Sequence, residues 1–159
     1  MFTDPTIVTL TDFVRGVGIG VLAASAIGPT QFPGLAIQHG CVLIDETRVI
    51  HPGDILHEAG HIAVTEPALR DAPTVSPSGG LELSTLAWSY AATLHLKLDP
   101  VLVFYPGSFQ NMAESLIENF AEGRYMGVPL LQLFGMTCDS RHAAARQVAP
   151  FPHMLRWVR

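Results

Sequence analysis

Asp54-Ile55-Leu56-His57-Glu58-Ala59-Gly60-His61-Ile62-Ala63-Val64 is the stretch from which the rest of the chain is best read. Ile55, Leu56, Ala59, Ile62, Ala63 and Val64 frame it with apolar residues that a helix can bury in a core. Pro52-Gly53-Asp54 suits a helix start, with Asp54 as N-cap and Glu58 favouring the positive end, and Pro67 ends the helix. On such a helix His57 and His61 share one face, about 6 Å apart along the axis at ~1.5 Å per residue. Two imidazoles so spaced can grip one tetrahedral Zn²⁺, which binds nitrogen at roughly 2.0–2.1 Å. Glu58 is turned about 100° from His57. It therefore flanks such an ion instead of ligating it, and can take a proton from an activated water. The plainer reading is a buried helix whose two histidines only make hydrogen bonds.

His57-Glu58-Ala59-Gly60-His61 in its apolar frame resembles the HExxH signature of the zincin metallopeptidases. The resemblance is strong over His57–His61 and weaker around residues 80–95. It implies a peptide-bond hydrolase with Zn²⁺ held by two histidines and a third protein group, because catalytic zinc usually takes three protein ligands. The metzincin pattern is excluded, since Pro67 stands where it has a third histidine and Val64 where it has a glycine. The gluzincin pattern takes a Glu from a later helix, and Glu82 answers to it. Glu66–Gly80, with Pro67, Pro73 and Pro77 and the closing Ser78-Gly79-Gly80, can turn the chain back. A second helix, Leu81–Leu98, then lies against the first, with Leu83, Leu86, Ala87, Tyr90, Ala91 and Leu94 suited to burial. Glu82 falls in its first turn, where the helix dipole favours a carboxylate with or without a metal. Asp71, in the proline-rich loop, and Cys41 are the alternative third ligands. A strand cysteine accompanies HExxH in the peptide deformylases, but a cysteine in an apolar run is usually a small buried hydrophobe.

The chain has 159 residues, 48% of them hydrophobic and 14% charged, which fits one globular domain over 1–159 with its own core. The net charge of −5 is unevenly placed. Residues 141–159 form a basic tail, with Arg141, Arg146, Arg156 and Arg159 and no acid. Four arginines diluted by Pro150 and Pro152 indicate a solvated or self-docking segment, so no nucleic-acid partner is expected. Cys41 and Cys138 are too few for a disulfide framework and suit a reducing, cytoplasmic setting. Gly16–Gly28 is an uncharged apolar run, too short to span a bilayer as a helix, and no membrane partner is expected. Arg15 before it and Ala24-Ser25-Ala26 after it imitate a signal peptide, yet Asp4 and Asp12 spoil the basic leader. A buried strand around Gly18–Ser25 explains the run better.

Residues 5–16 read as a short helix with Ile7, Leu10, Phe13 and Val14 on one side. Leu35–Ile44 reads as a hairpin turning at His39-Gly40. A small antiparallel sheet is therefore expected as the floor of the metal helix, with an edge strand to which an extended peptide can add. Ser108 is the expected cap of a helix to Glu122, striped by Phe109, Met112, Leu116 and Phe120 and stopped by Gly123. Glu114, Glu118 and Glu122 mark its solvated face. Pro129–Phe134 is a short helix ended by Gly135, closing the core or serving a homo-oligomer contact. Tyr90 and Tyr105 are candidate oxyanion donors and His95 a candidate proton donor, although residues so spaced more often serve packing.

The expectation is a small α+β, zincin-like domain, its short antiparallel sheet packed on the HExxH helix and its second half mostly helical. Zn²⁺ would sit on His57, His61 and Glu82, with Glu58 as general base and a peptide or protein as substrate. The alternative is a non-catalytic or partner-gated zinc-binding regulatory module of the same fold.

Overall fold

In the computed structural model, residues 1–75 and 79–159 are described. The chain opens with α1 (Pro5–Gly16), whose first turn is capped by the Asp4 carboxylate accepting from the Thr6 and Ile7 amides. Its buried face carries Ile7, Leu10 and Val14. Three short strands follow: β1 (Gly20–Ala23), β2 (Leu35–Gln38) and β3 (Cys41–Ile44). The hairpin forms where expected. His39 and Gly40 both take positive φ, 49° and 69°, the two-residue geometry that matches the twist of paired strands.

The sheet is mixed, not antiparallel. Its order is β1-β3-β2, with β1 parallel to β3 and β2 antiparallel to β3. After β1 the chain crosses over before β2, which takes the outer edge, and the hairpin folds β3 back between them. An apolar run does not encode strand direction, so only the β2–β3 hairpin keeps the expected antiparallel pairing, and of β1, expected to be buried, only Val21 is buried while Leu22 is 55% exposed.

The HExxH stretch forms α2 (Asp54–Val64), buried along almost its whole length. Asp54 is not its N-cap. Gly53 holds that place without a side-chain bond, and Asp54 lies inside the first turn, 2% exposed. α2 rests on the sheet, on α1 and above all on α3 (Gly79–His95). α3 starts two residues before the expected position and ends three before it, because Lys97 turns to positive φ and the Leu98 amide reaches back to the Thr93 carbonyl. Pro77 and Ser78 of the expected turn lie outside the described residues. Every residue from Ser84 to Thr93 is buried, so α3 is enclosed on all sides. Its hydroxyls are satisfied within the helix: Ser84, Thr85, Ser89 and Thr93 donate to the carbonyls of Gly80, Leu81, Thr85 and Tyr90.

The expected helix from Ser108 to Glu122 is broken. Ser108–Asn111 is a separate turn, α4, in which Phe109, Gln110 and Asn111 take positive φ of 51°, 58° and 65°. Helical structure resumes only at α5 (Ala113–Ala121). Among the described residues the Ser108 hydroxyl has no hydrogen-bond partner, and Met112 is 50% exposed. Leu116 and Phe120 are buried as expected, and Gly123 ends the helix at φ 74°. Glu118 and Glu122 meet Arg124 on an exposed face. α6 (Val128–Leu133) buries Val128 and Leu131, leaving Leu133 exposed, and α7 (Ser140–Arg146) is capped by Asp139.

The basic C-terminal segment docks on the fold. Thr137 bridges to Met154, and Trp157 packs edge-on against Phe13 and Trp88, with ring centroids at 5.0 and 5.5 Å. The Trp88 indole donates to the Trp157 carbonyl at 2.8 Å, and the Arg159 amide to Ala63 at 2.9 Å. Among the described residues, no helix is long and apolar enough to cross a membrane.

Candidate metal centre

The i, i+4 spacing on α2 sets both imidazoles toward α3, with ring centroids 4.6 Å apart and nearly perpendicular. Their Nε2 atoms lie 3.1 Å apart. Glu82, in the first turn of α3, reaches both: Oε1 lies 3.4 Å from His57 Nε2, and Oε2 lies 3.4 Å from His61 Nε2. His57, His61 and Glu82 thus offer ligand atoms all within 4.8 Å of one another, a group that could hold a metal ion. Asp71 and Cys41, the alternative third ligands, are not part of this group. Asp71 sits by the hairpin, where its backbone carbonyl is 3.0 Å from His39 Nδ1, and Cys41 stands in β3 beside Gly20 of β1.

Burial decides the charge of the two rings. His57 is held down to about 3 by desolvation and by His61, and His61 to about 4 by desolvation. Both are neutral near pH 7, so their contacts with Glu82 are not ion pairs. Desolvation also raises Glu82. The Thr85 hydroxyl donates to the Leu81 carbonyl at 3.0 Å, which leaves its oxygen to accept from His61 Nδ1 at 3.3 Å. That bond puts the His61 proton on Nδ1 and leaves an Nε2 lone pair facing the carboxylate. His57 is flanked by the rings of Phe32 and Phe109 at 5.4 and 5.0 Å, and its Nδ1 has no partner among the described residues.

Glu58 opens onto the same cavity of about 670 Å³, which is also lined by strand β2 at Leu35, Ala36 and Ile37. Burial pushes the Glu58 carboxyl up to about 7, and the carboxylates of Asp54 and Glu82 add to the rise. Asp54, one turn earlier, is itself raised to about 7 by burial, opposed by a long hydrogen bond of 3.4 Å from the Tyr105 hydroxyl.

The other candidates stand elsewhere. Tyr105 serves Asp54 and stacks on His51 at 3.6 Å, Tyr90 stacks on Phe120 at 4.6 Å, and His95 packs against Phe13 and Trp157. None of the three lines the cavity. Sequence reasoning missed Thr85 and the role of Gly60. A Cβ on Gly60 would meet Thr85 Cγ2 at 2.9 Å, Trp88 Cε3 at 3.2 Å and the Thr85 carbonyl oxygen at 3.3 Å. Glycine inside a helix is unfavourable by about 1 kcal/mol against alanine, and that mid-helix glycine was the signal that another element approaches there.

No protein-family model, curated protein or solved structure matches this chain.

Proposed function

We propose that the chain is a zinc-dependent hydrolase of zincin-like fold that cleaves peptide bonds. His57, His61 and Glu82 are the metal ligands and Glu58 is the general base. One observation carries the reading: the Nε2 atoms of two neutral imidazoles lie 3.1 Å apart, and each has its own Glu82 oxygen at 3.4 Å, Oε1 by His57 and Oε2 by His61. A tetrahedral zinc with donors at ~2.0–2.1 Å needs separations of about 3.3 Å. With His57 protonated on Nδ1, two imidazole lone pairs and a carboxylate face one another at this site, a repulsion that a cation between them removes. Two His, one Glu and an open side facing a cavity form the donor set of catalytic zinc, not of a closed structural site.

Zinc bound there would supply a Lewis acid that polarises a carbonyl and acidifies water. Glu58, at the cavity wall and raised to about 7, is matched to taking the proton of the attacking water and passing it to the leaving amine. β2 is an edge strand of the described sheet and lines the cavity, so an extended peptide can pair with it along the backbone. Metal analysis of protein purified without added zinc, combined with Glu58→Gln, tests the reading. Expected are one zinc per chain, lost in His57→Ala, and a Glu58→Gln variant that keeps zinc while peptide cleavage falls by at least ~100-fold. Zinc-free protein, or undiminished cleavage by Glu58→Gln, refutes it.

A second reading, a partner-gated zinc module, is favoured by α4. Phe109 lies against His57 in a turn with three successive residues at positive φ, each unfavourable by about 1–2 kcal/mol. Relaxing that turn would move Phe109 off the metal centre. Activity that appears only with a partner would distinguish this module from the freely active enzyme.

A further inference from the structure

A second cavity, of about 470 Å³, lies between α6, the start of α7 and the C-terminal segment, and shares no lining residue with the cavity of the metal centre. Tyr125, Pro129, Pro150 and Phe151 give it aromatic and proline walls, and Gln132 and Asp139 stand on its polar side. We propose that this cavity binds a primary ammonium group carried on an apolar stem, with Asp139 as its counter-charge. The site stands apart from the metal centre and needs neither zinc nor hydrolysis.

Charge decides the sign of the ligand. Asp139 is the only charged side chain among the described lining residues. The His142 amide first, and then the His142 ring, hold its carboxyl down to about 2, so it is an anion at neutral pH. The amides at the start of α7 offset only part of that charge, since a helix N-terminus carries about +0.5. A bound carboxylate or phosphate would face this anion with no lysine or arginine on the walls to balance it.

The bonding of the carboxylate leaves one oxygen for a ligand. Oδ1 accepts from the Arg141 and His142 amides at 3.0 and 2.8 Å and lies 2.8 Å from His142 Nδ1. Oδ2 has one partner among the described residues, the Gln132 side-chain amide at a long 3.4 Å. A carboxylate oxygen has two lone pairs, so Oδ2 keeps room for a strong donor. The Asp139 amide donates to Gln132 Oε1 at 2.6 Å, which holds the residue in place before any ligand arrives. The side chain is 40% exposed, so it is within reach. An apolar ligand over Oδ2 would strip water from a charged oxygen and return nothing, whereas an ammonium returns a charge-assisted hydrogen bond.

The walls suit the stem. Phe151 is buried edge-on against the half-buried Tyr125, with ring centroids 4.7 Å apart. An aromatic ring at a cavity wall attracts both an apolar stem and the cation it carries. Such a stem comes from a free amine or from a lysine side chain of another protein.

The test uses the full chain and four probes, with binding read by ¹H–¹⁵N NMR shifts. Phenethylammonium stands for a free amine and N-acetyl-lysine methylamide for a lysine side chain. 2-Phenylethanol and 3-phenylpropionate are the neutral and anionic controls. At least one ammonium probe should bind with a Kd of about 1 mM or tighter, shifting the amides around Tyr125, Gln132 and Asp139, and the controls should bind about tenfold more weakly or not at all. Either order of the two ammonium probes supports the site, and the tighter one names the source. Asp139→Asn keeps a capping oxygen for α7 and removes the charge, so ammonium binding should weaken about tenfold while 2-phenylethanol is unaffected. Should that variant fail to fold, raising salt from about 20 to about 500 mM should weaken ammonium binding to wild type and spare the alcohol. Controls that bind as tightly as the amines, ammonium binding that ignores both Asp139→Asn and salt, or no shifts at this cavity with about 10 mM of either amine would overturn the proposal.

Discussion

Gly60→Ala is the most searching perturbation of this molecule, because it adds one methyl group where α2 and α3 touch. The added carbon would lie 2.9 Å from the Thr85 methyl, 3.2 Å from the buried Trp88 ring and 3.3 Å from the Thr85 carbonyl oxygen. Carbon contacts are comfortable near ~3.5–4.0 Å, so the helices must part by about 0.5 Å or Thr85 must rotate. Overpacking costs about 1–3 kcal/mol, and the better helix propensity of alanine returns about 1. The metal-free fold should therefore lose only about 0–2 kcal/mol, read by urea denaturation. The metal centre should suffer more. If α3 recedes, the Glu82 oxygens move from 3.4 Å to nearly ~4 Å from the imidazoles, beyond the ~3.3 Å of a tetrahedral zinc. If Thr85 rotates instead, His61 Nδ1 loses its partner. By either route zinc affinity, measured by competition with a chromophoric chelator, should fall at least about tenfold. A Gly60→Ala variant more stable than wild type and equally tight for zinc would refute the claim that this contact sets the site.

Three further outcomes are expected. Thr85→Val keeps the shape but removes the oxygen bonded to His61, so zinc affinity should drop about 10- to 100-fold, with Thr85→Ser restoring it; equal affinity in all three proteins would show that the bond does not orient the ring. Asp54 holds its proton up to about pH 7 when folded, against an ordinary value of 3.8, so the folded state binds that proton more tightly. The Asp54 contribution to the stability of the metal-free protein should therefore fall as pH rises from about 4 to 7, by at most about 4 kcal/mol, beside a like fall from Glu58 and an opposite rise from His57 and His61. Asp54→Asn should remove that slope, stabilising the protein at pH 8.5 and not at pH 4; the same difference at both values in urea denaturation would contradict the assignment. Phe109→Ala, which clears one side of His57, should leave zinc bound and raise the rate at which a chelator extracts it, as followed by stopped-flow absorbance; unchanged extraction would mean that α4 does not cover the ion.

Much of the site was legible because it is local. The i, i+4 histidines, the apolar frame of α2 and the carboxylate in the first turn of α3 all follow from helical geometry, and the hairpin from the Gly40 that a left-handed turn favours. Glu82 was reached through the gluzincin resemblance, with helix geometry in support, and the structure brings it to the two rings. The helix misread at Ser108 shows the opposite case. Phe109, Met112, Leu116 and Phe120 have faultless helical spacing, yet Phe109 packs between Phe104 and His57, and the chain breaks to place it there. Asp54 has the residue type and the place after Pro52-Gly53 that suit a cap, yet Gly53 takes the cap position and Asp54 is buried within the first turn of α2.

The residue order alone determined α1, α2, α3 and the β2–β3 hairpin and which side chains each presents together, because backbone periodicity acts within a few residues. Only the packed molecule decided what faces what. The parallel pairing of β1 with β3, the approach of α3 that Gly60 admits and the hydroxyl of Thr85 on His61 all depend on distances between elements far apart in the chain. Those distances are settled by side-chain volumes filling one shared core, and no local pattern records them.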